Sequence, residues 1–76
     1  MKELIEFLAR SIVDEPDAVE VEEEQDGDYI VYHLYVADDD MGKVIGKHGR
    51  IANAMRTVLK VAAARRGTRV ALEIGD

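Results

Sequence analysis

A chain of 76 residues without cysteine lies near the lower size at which one hydrophobic core holds unaided, and it excludes a disulfide framework and a thiolate zinc site. Its two separated histidines are a poor basis for any other structural metal, so stability must come from packing, helped where a partner subunit is present. The formal net charge of −6 excludes a polyanionic partner only if the charges are evenly spread, and they are sorted: residues 14–40 hold twelve acids and no Lys or Arg, residues 41–70 eight Lys or Arg and no acid. Charges separated by more than about 8 Å are largely screened at physiological salt, so the basic half is free to meet an anion on its own terms. The acidic half reads as a solvated face.

Leu4, Ile5, Phe7, Leu8, Ile12 and Val13 recur at helical spacing and predict an amphipathic helix over 2–13, which Pro16 keeps from continuing. Glu3, Glu6 and Arg10 interrupt its apolar run, so neither a signal peptide nor a membrane span is expected, and the expected location is cytoplasmic. Val19 and Val21 alternate with Glu20 and Glu22 as in a half-buried strand, and EQDGD at 24–28 supplies a turn in which Asp26-Gly27 suits positive φ angles. YIVYHLYV at 29–36 predicts a long strand with Tyr29, Val31, His33 and Tyr35 on one face and Ile30, Tyr32, Leu34 and Val36 on the other. One face is expected to meet the helices, and His33 is expected to be a strand residue with no further part.

Asp38, Asp39 and Asp40 suit the start of a short helix over 41–46, a capping role that needs no Mg²⁺. Gly49 opens a longer helix with Ile51, Ala54, Met55, Val58, Leu59 and Ala62 in an i, i+3, i+4, i+7 series; Arg65 and Arg66 match its C-terminal dipole and Gly67 its left-handed cap. VAAA at 61–64 is either helix-forming filler or part of a dimer seam. Val70, Leu72 and Ile74 alternate against Arg69, Ala71 and Glu73 as a third strand. With no repeat, linker or low-complexity stretch, the order predicts a single α+β domain over 1–76, its helices packed on one face of a three-stranded sheet.

The stretch VIGKHGR at 44–50 stands between the last two predicted helices. Glycines at 46 and 49 let a sugar-phosphate chain approach main-chain N–H groups that a Cβ would hold off, and the N-terminus of the helix near Gly49 adds unpaired donors and a partial positive charge. Lys47 and Arg50 then neutralise neighbouring phosphates, with Lys43 one turn back and Arg56 further along as secondary candidates. The plainer reading is that Gly46 caps one helix and Gly49 relaxes the turn; the polar pair between them and the lack of nearby acids weigh against it. A Walker loop needs four residues between its glycines and a Ser or Thr after the Lys, and a dinucleotide fingerprint needs a preceding strand; neither is present. No nucleophile and base stand together in the sequence, so an enzyme is not expected, nor a cofactor.

GKVIGKHGRIANAMRTVL resembles the signature of a KH domain, and length and element order together are similar to the small single-domain bacterial KH proteins of the KhpA family. The resemblance covers essentially the whole chain and implies the type II KH arrangement, helix-strand-strand-helix-helix-strand. It implies single-stranded RNA binding, with Gly46, Lys47, His48 and Gly49 gripping the backbone of about four nucleotides. Ile45 and Ile51 become apolar walls for bases, and Arg50 follows the backbone. It also implies a homodimer or a heterodimer with a larger KH-containing partner, KhpB, and roles in RNA metabolism and cell-envelope control. The free face of the central strand is then surface, RNA platform or subunit contact. The tyrosines are confined to residues 29–35, so strong base stacking in the basic half is not expected, and affinity for short RNA should be weak.

Overall fold

The computed structural model describes residues 1–75. The principal elements are α1 (Lys2–Arg10), β1 (Glu20–Asp26), β2 (Tyr29–Tyr35), α2 (Met41–Ile45), α3 (Arg50–Arg66) and β3 (Arg69–Gly75), with short 3₁₀ turns at Pro16–Ala18, Asp38–Asp40 and Lys47–Gly49. The strands form one sheet in the order β1-β2-β3, β1 antiparallel to β2 and β3 parallel to it. A parallel pair needs a long crossover, and α2 with α3 supplies it. The α+β class and the element order are those expected from the sequence.

Register explains which face is buried. Val21, Leu34 and Ile74 lie abreast across the sheet, as do Tyr32 and Leu72, so these side chains share one face. Helix α1 packs on β1 and α3 on β3, closing a core that includes Ile5, Ala9, Val44, Met55, Leu59 and Ala63. One boundary and one buried face differ from the sequence pattern. Helix α1 ends at Arg10, and the Ile12 and Val13 amides turn back onto the Ala9 carbonyl, so Val13 reaches the core from a turn rather than from a helix. In α3 the buried stripe is Ala52, Met55, Leu59 and Ala63, whereas Ile51, Ala54 and Val58 of the predicted series face outward. Small residues at 52 and 63 let the helix lie close to its neighbours, and the face that carries them turns inward.

The acidic segment is a strand despite its composition. Five of the seven residues of β1 are Asp or Glu, yet all seven pair with β2, so cross-strand pairing overrides weak strand propensity. The hairpin closes over Gly27 and Asp28, with Gly27 at φ +67° giving the reversal. On the face turned from the helices His33 is more than a filler: Nε2 lies 3.2 Å from Glu24 and Nδ1 3.3 Å from Glu73, which ties the two outer strands across the middle one. Asp40 also departs from expectation. No side chain caps α2; Asp40 is instead 1 % exposed, its carboxylate accepting from the Asp14 and Glu15 amides at 3.1 and 3.0 Å. It pins the loop after α1 to the start of α2.

Removing that carboxylate leaves two amides without their acceptor, so Asp40→Ala is expected to destabilise the fold by about 2 kcal/mol. A urea midpoint unchanged from the parent protein would contradict this anchoring role.

Candidate nucleic-acid interface

The elbow between α2 and α3 is made by backbone that only certain residues adopt. Gly46 has φ 77° and ψ 170°, His48 φ 59° and ψ 24°, and Gly49 φ 74° and ψ 15°. His48 is the only described non-glycine residue at positive φ. The two glycines do different work. A Cβ on Gly46 would sit 2.8 Å from the Ile51 Cβ and 2.9 Å from its backbone nitrogen, and closer still to Cγ1. The bare side of Gly46 is therefore filled by Ile51 rather than open to a ligand. A Cβ on Gly49 would meet only the Asn53 amide nitrogen at 3.8 Å, so that glycine is needed for its left-handed dihedral and leaves its surface open.

The amides divide in the same way. Gly46 N–H closes α2 on Gly42, Gly49 N–H donates to Gly46, and Arg50 N–H to Lys47. The Lys47 and His48 amides lie ahead of the first hydrogen bond of the turn and take no part in it. Helix α3 begins here with glycine at its N-cap, no capping side chain and no acid in its first turn, so its positive pole is uncompensated. Lys47, His48 and Arg50 are exposed, and none has an ion-pair partner among the described residues. Ile45 and Ile51 flank them, 39 % and 37 % exposed. What gathers at the elbow is an anion-sized patch of main chain, three cations or potential cations, and two apolar side chains.

Two residues singled out with these stand apart. Lys43 is turned to the acidic half, its ammonium hydrogen-bonded to Asp14 and 3.8 Å from Asp40. The Asp14 bond holds its pKa above the ordinary lysine range, so the charge persists but is matched by carboxylates. Asp40 stands three residues before Lys43 in sequence, and the packing of the 11–15 loop adds Asp14 from far along the chain. Arg56 lies about 140° around the helix from Ile51, five residues on at 3.6 per turn, and so points away from the elbow wall. Its Nε donates to the Leu72 carbonyl and Nη1 to Asn53 Oδ1, both at 3.2 Å, which fastens α3 to β3.

Beside Arg56 opens a cleft of about 140 Å³ between α3 and β3, bordered by Lys60, Val70, Leu72 and Tyr29. Tyr29 therefore reaches the basic side of the molecule, contrary to the expectation that the tyrosines stay clear of it. The parallel pairing of β2 with β3 sets Tyr29 beside Arg69, a long-range register with no local signal. Sequence reasoning also missed Asn53, which holds Arg56 and stands nearest to Gly49.

Because its Cβ has nowhere to go, Gly46→Ala is expected to lower stability by about 3 kcal/mol or more, whereas Gly49→Ala costs about 1 kcal/mol, the price of one left-handed residue. Equal losses in chemical denaturation of the two variants would contradict the packing of Ile51 on Gly46.

Residues 2–74 match the family described as KhpA/KhpB, KH domain. Among curated relatives, the RNA-binding protein KhpA of Clostridium acetobutylicum is 54 % identical over 74 residues, covering 97 % of this chain and 99 % of its own. That of Halalkalibacterium halodurans is 50 % identical over 76 residues and the whole of both chains, and that of Treponema pallidum 49 % over 75 residues, 99 % of this chain and 94 % of its own. No solved structure matches the chain significantly. The family is one of non-enzymatic proteins, in agreement with a sequence that shows no catalytic set. With the fold, the element order and the GKHG elbow in place, the match over nearly its whole length makes this chain a member of the KhpA/KhpB family of KH domains.

Proposed function

We propose that the protein binds single-stranded RNA without catalysis, gripping the sugar-phosphate backbone at the elbow between α2 and α3. The observation that carries this reading is the Lys47–Gly49 turn, whose leading amides precede its own hydrogen bonds while exposed cations stand on either side. The amides and the pole of α3 receive one phosphate; Lys47 and Arg50 neutralise its neighbours, and His48 adds a donor. Ile45 and Ile51 offer apolar contact to bases, and Gly46 and Gly49 give the turn its shape. Arg56 lies about 9 Å along α3 from Arg50 and serves a later phosphate or base. Similarity to relatives named RNA-binding protein KhpA supports the polymer class.

The working form in this reading is a dimer. Val58 and Val61 are 45 % and 52 % exposed, and with Ala54 they form an outward stripe at 4-3 spacing along α3. The expected seam over 61–64 is thereby split: Val61 faces out, Ala63 belongs to the core. The stripe fits a second copy, or a larger KH-containing protein of the KhpB kind, and two elbows on one RNA raise avidity without new contacts. A cytoplasmic role in RNA metabolism and post-transcriptional regulation suits such a module; among the described residues no helix is long and apolar enough to cross a membrane. A subunit whose chief work is that pairing, with a weak RNA site, is the competing reading the same stripe favours.

Lys47→Asp with His48→Asp is expected to keep the fold, since Asp tolerates the left-handed dihedral at 48, and to abolish RNA binding in an anisotropy titration. Retained binding would refute the elbow as the site. Contact with two or three phosphates predicts a slope of log affinity against log salt of about −1.4 to −2.1, and a flat salt dependence would be equally damaging. Val58→Lys with Val61→Lys should sediment as a monomer where the parent protein is a dimer; an unchanged sedimentation coefficient would remove the stripe as the seam.

A further inference from the structure

The two borders of the sheet are finished differently. Along β3 the Leu72 carbonyl is taken up by Arg56 of α3. Strand β1 is last in the sheet order, and no other described segment hydrogen-bonds to its backbone. The two-residue turn at Gly27 and Asp28 closes on the Asp26–Tyr29 pair, so the amides and carbonyls of alternate residues, Val21, Glu23 and Gln25, point away from β2 toward solvent. An unpaired row of this kind accepts one more extended chain by main-chain hydrogen bonding. The side chains along it say which chain. Glu20, Glu22, Glu24 and Asp26 stand exposed on the face turned from the helices, at intervals of about 6.8 Å. Glu24 shares His33 with Glu73, whereas Glu20, Glu22 and Asp26 have no cation within ion-pair distance among the described residues, nor has Glu23 on the opposite face. An extended segment has the same two-residue interval, so a Lys or Arg at every second position falls beside each of these carboxylates in turn. Tyr29 and Tyr35 lie on the same face, where the Arg69 guanidinium already rests 5.6 Å from the centroid of the Tyr29 ring.

We propose that the β1 border is a docking site for an extended basic segment of a partner protein, its Lys or Arg residues alternating with small or β-branched ones, which adds as a fourth strand beside β1. Main-chain bonds to Val21, Glu23 and Gln25 hold the segment, and its cations on Glu20, Glu22, Glu24 and Asp26 set the register. A slip of one residue turns every cation to the opposite face, so alternation rather than total charge is what is recognised. Helix α3, which carries most of the unmatched cations, packs on β3 at the far border. A segment on β1 therefore leaves the basic side free, and RNA is repelled from this border by its carboxylates.

The test is NMR of the full chain with two synthetic octapeptides of identical composition, one with four lysines alternating with threonine and valine, the other with the four lysines consecutive. At saturation the alternating peptide should slow hydrogen exchange of the Val21, Glu23 and Gln25 amides at least tenfold and leave the Lys47 and His48 amides unmoved. The block peptide should bind at least threefold more weakly and protect none of the three. Glu20→Gln with Glu22→Gln, both at exposed positions, should fold as the parent does and weaken the alternating peptide about threefold to tenfold. Equal affinity of the two peptides, or binding that leaves the three amides exchanging as before, would reduce the contact to diffuse charge attraction and overturn the docking site, as would no binding at all. Concentration-dependent shifts of residues 20–26 in the peptide-free protein, lost in the double variant, would give the border to the basic face of a second copy and overturn the proposal in that way.

Discussion

The bare α-carbon of Gly46 against Ile51 is the contact on which the basic half of the molecule turns. Because the first turn of α3 occupies the space of a side chain at 46, α2 and α3 meet at a fixed angle with a single short turn between them. The left-handed dihedrals at His48 and Gly49 follow, since the chain has only four residues in which to reverse out of α2 and enter α3. Those dihedrals in turn hold the Lys47 and His48 amides outside the hydrogen-bonding of either helix. Strain is spent where an exposed main chain is wanted, and the packing of Ile51 holds it in place.

Charge has a different order in space than along the chain. In sequence the acids and bases occupy separate blocks, but Lys43 crosses to Asp14 and Asp40, and His33 stands between Glu24 and Glu73. Several acids are thus structural: one anchors a loop on buried backbone donors, and two hold a ring across the sheet. The cations of α3 and the elbow find no such partners among the described residues. The molecule is therefore polar in the electrostatic sense, with acids in excess around the sheet and loops on one side and unmatched positive charge on the other, which is how a chain of net charge −6 is compatible with a polyanionic ligand.

Much of this was legible in the residues. Period-two and period-3.6 patterns give the element order, and GKHG between two helices marks the elbow because glycine pairs with polar intervening residues have a conformational purpose there. What escaped is what depends on partners distant in sequence. Asp40 looks like a helix cap until the Asp14 and Glu15 amides arrive from 26 and 25 residues away. Lys43 looks free until the same loop packs beside it. The apolar series of α3 merges two stripes, since Ile51, Ala54 and Val58 differ from Ala52, Met55 and Leu59 only in which side faces the sheet, and alanine at 52 and 63 is a signal of close approach too weak to read in advance. Tyr29 reaches the basic side through strand register, which no local window contains.

Strand β1 carries one last consequence. It lies at the border of the sheet, and its outer row of N–H and C=O groups is the kind of template on which a neighbouring chain could add itself. Five carboxylates in seven residues line that border, so an identical strand laid alongside would bring like charges face to face along its whole length. Fibril-like stacking through this border is thereby discouraged, and any lasting association between copies is steered to other surfaces.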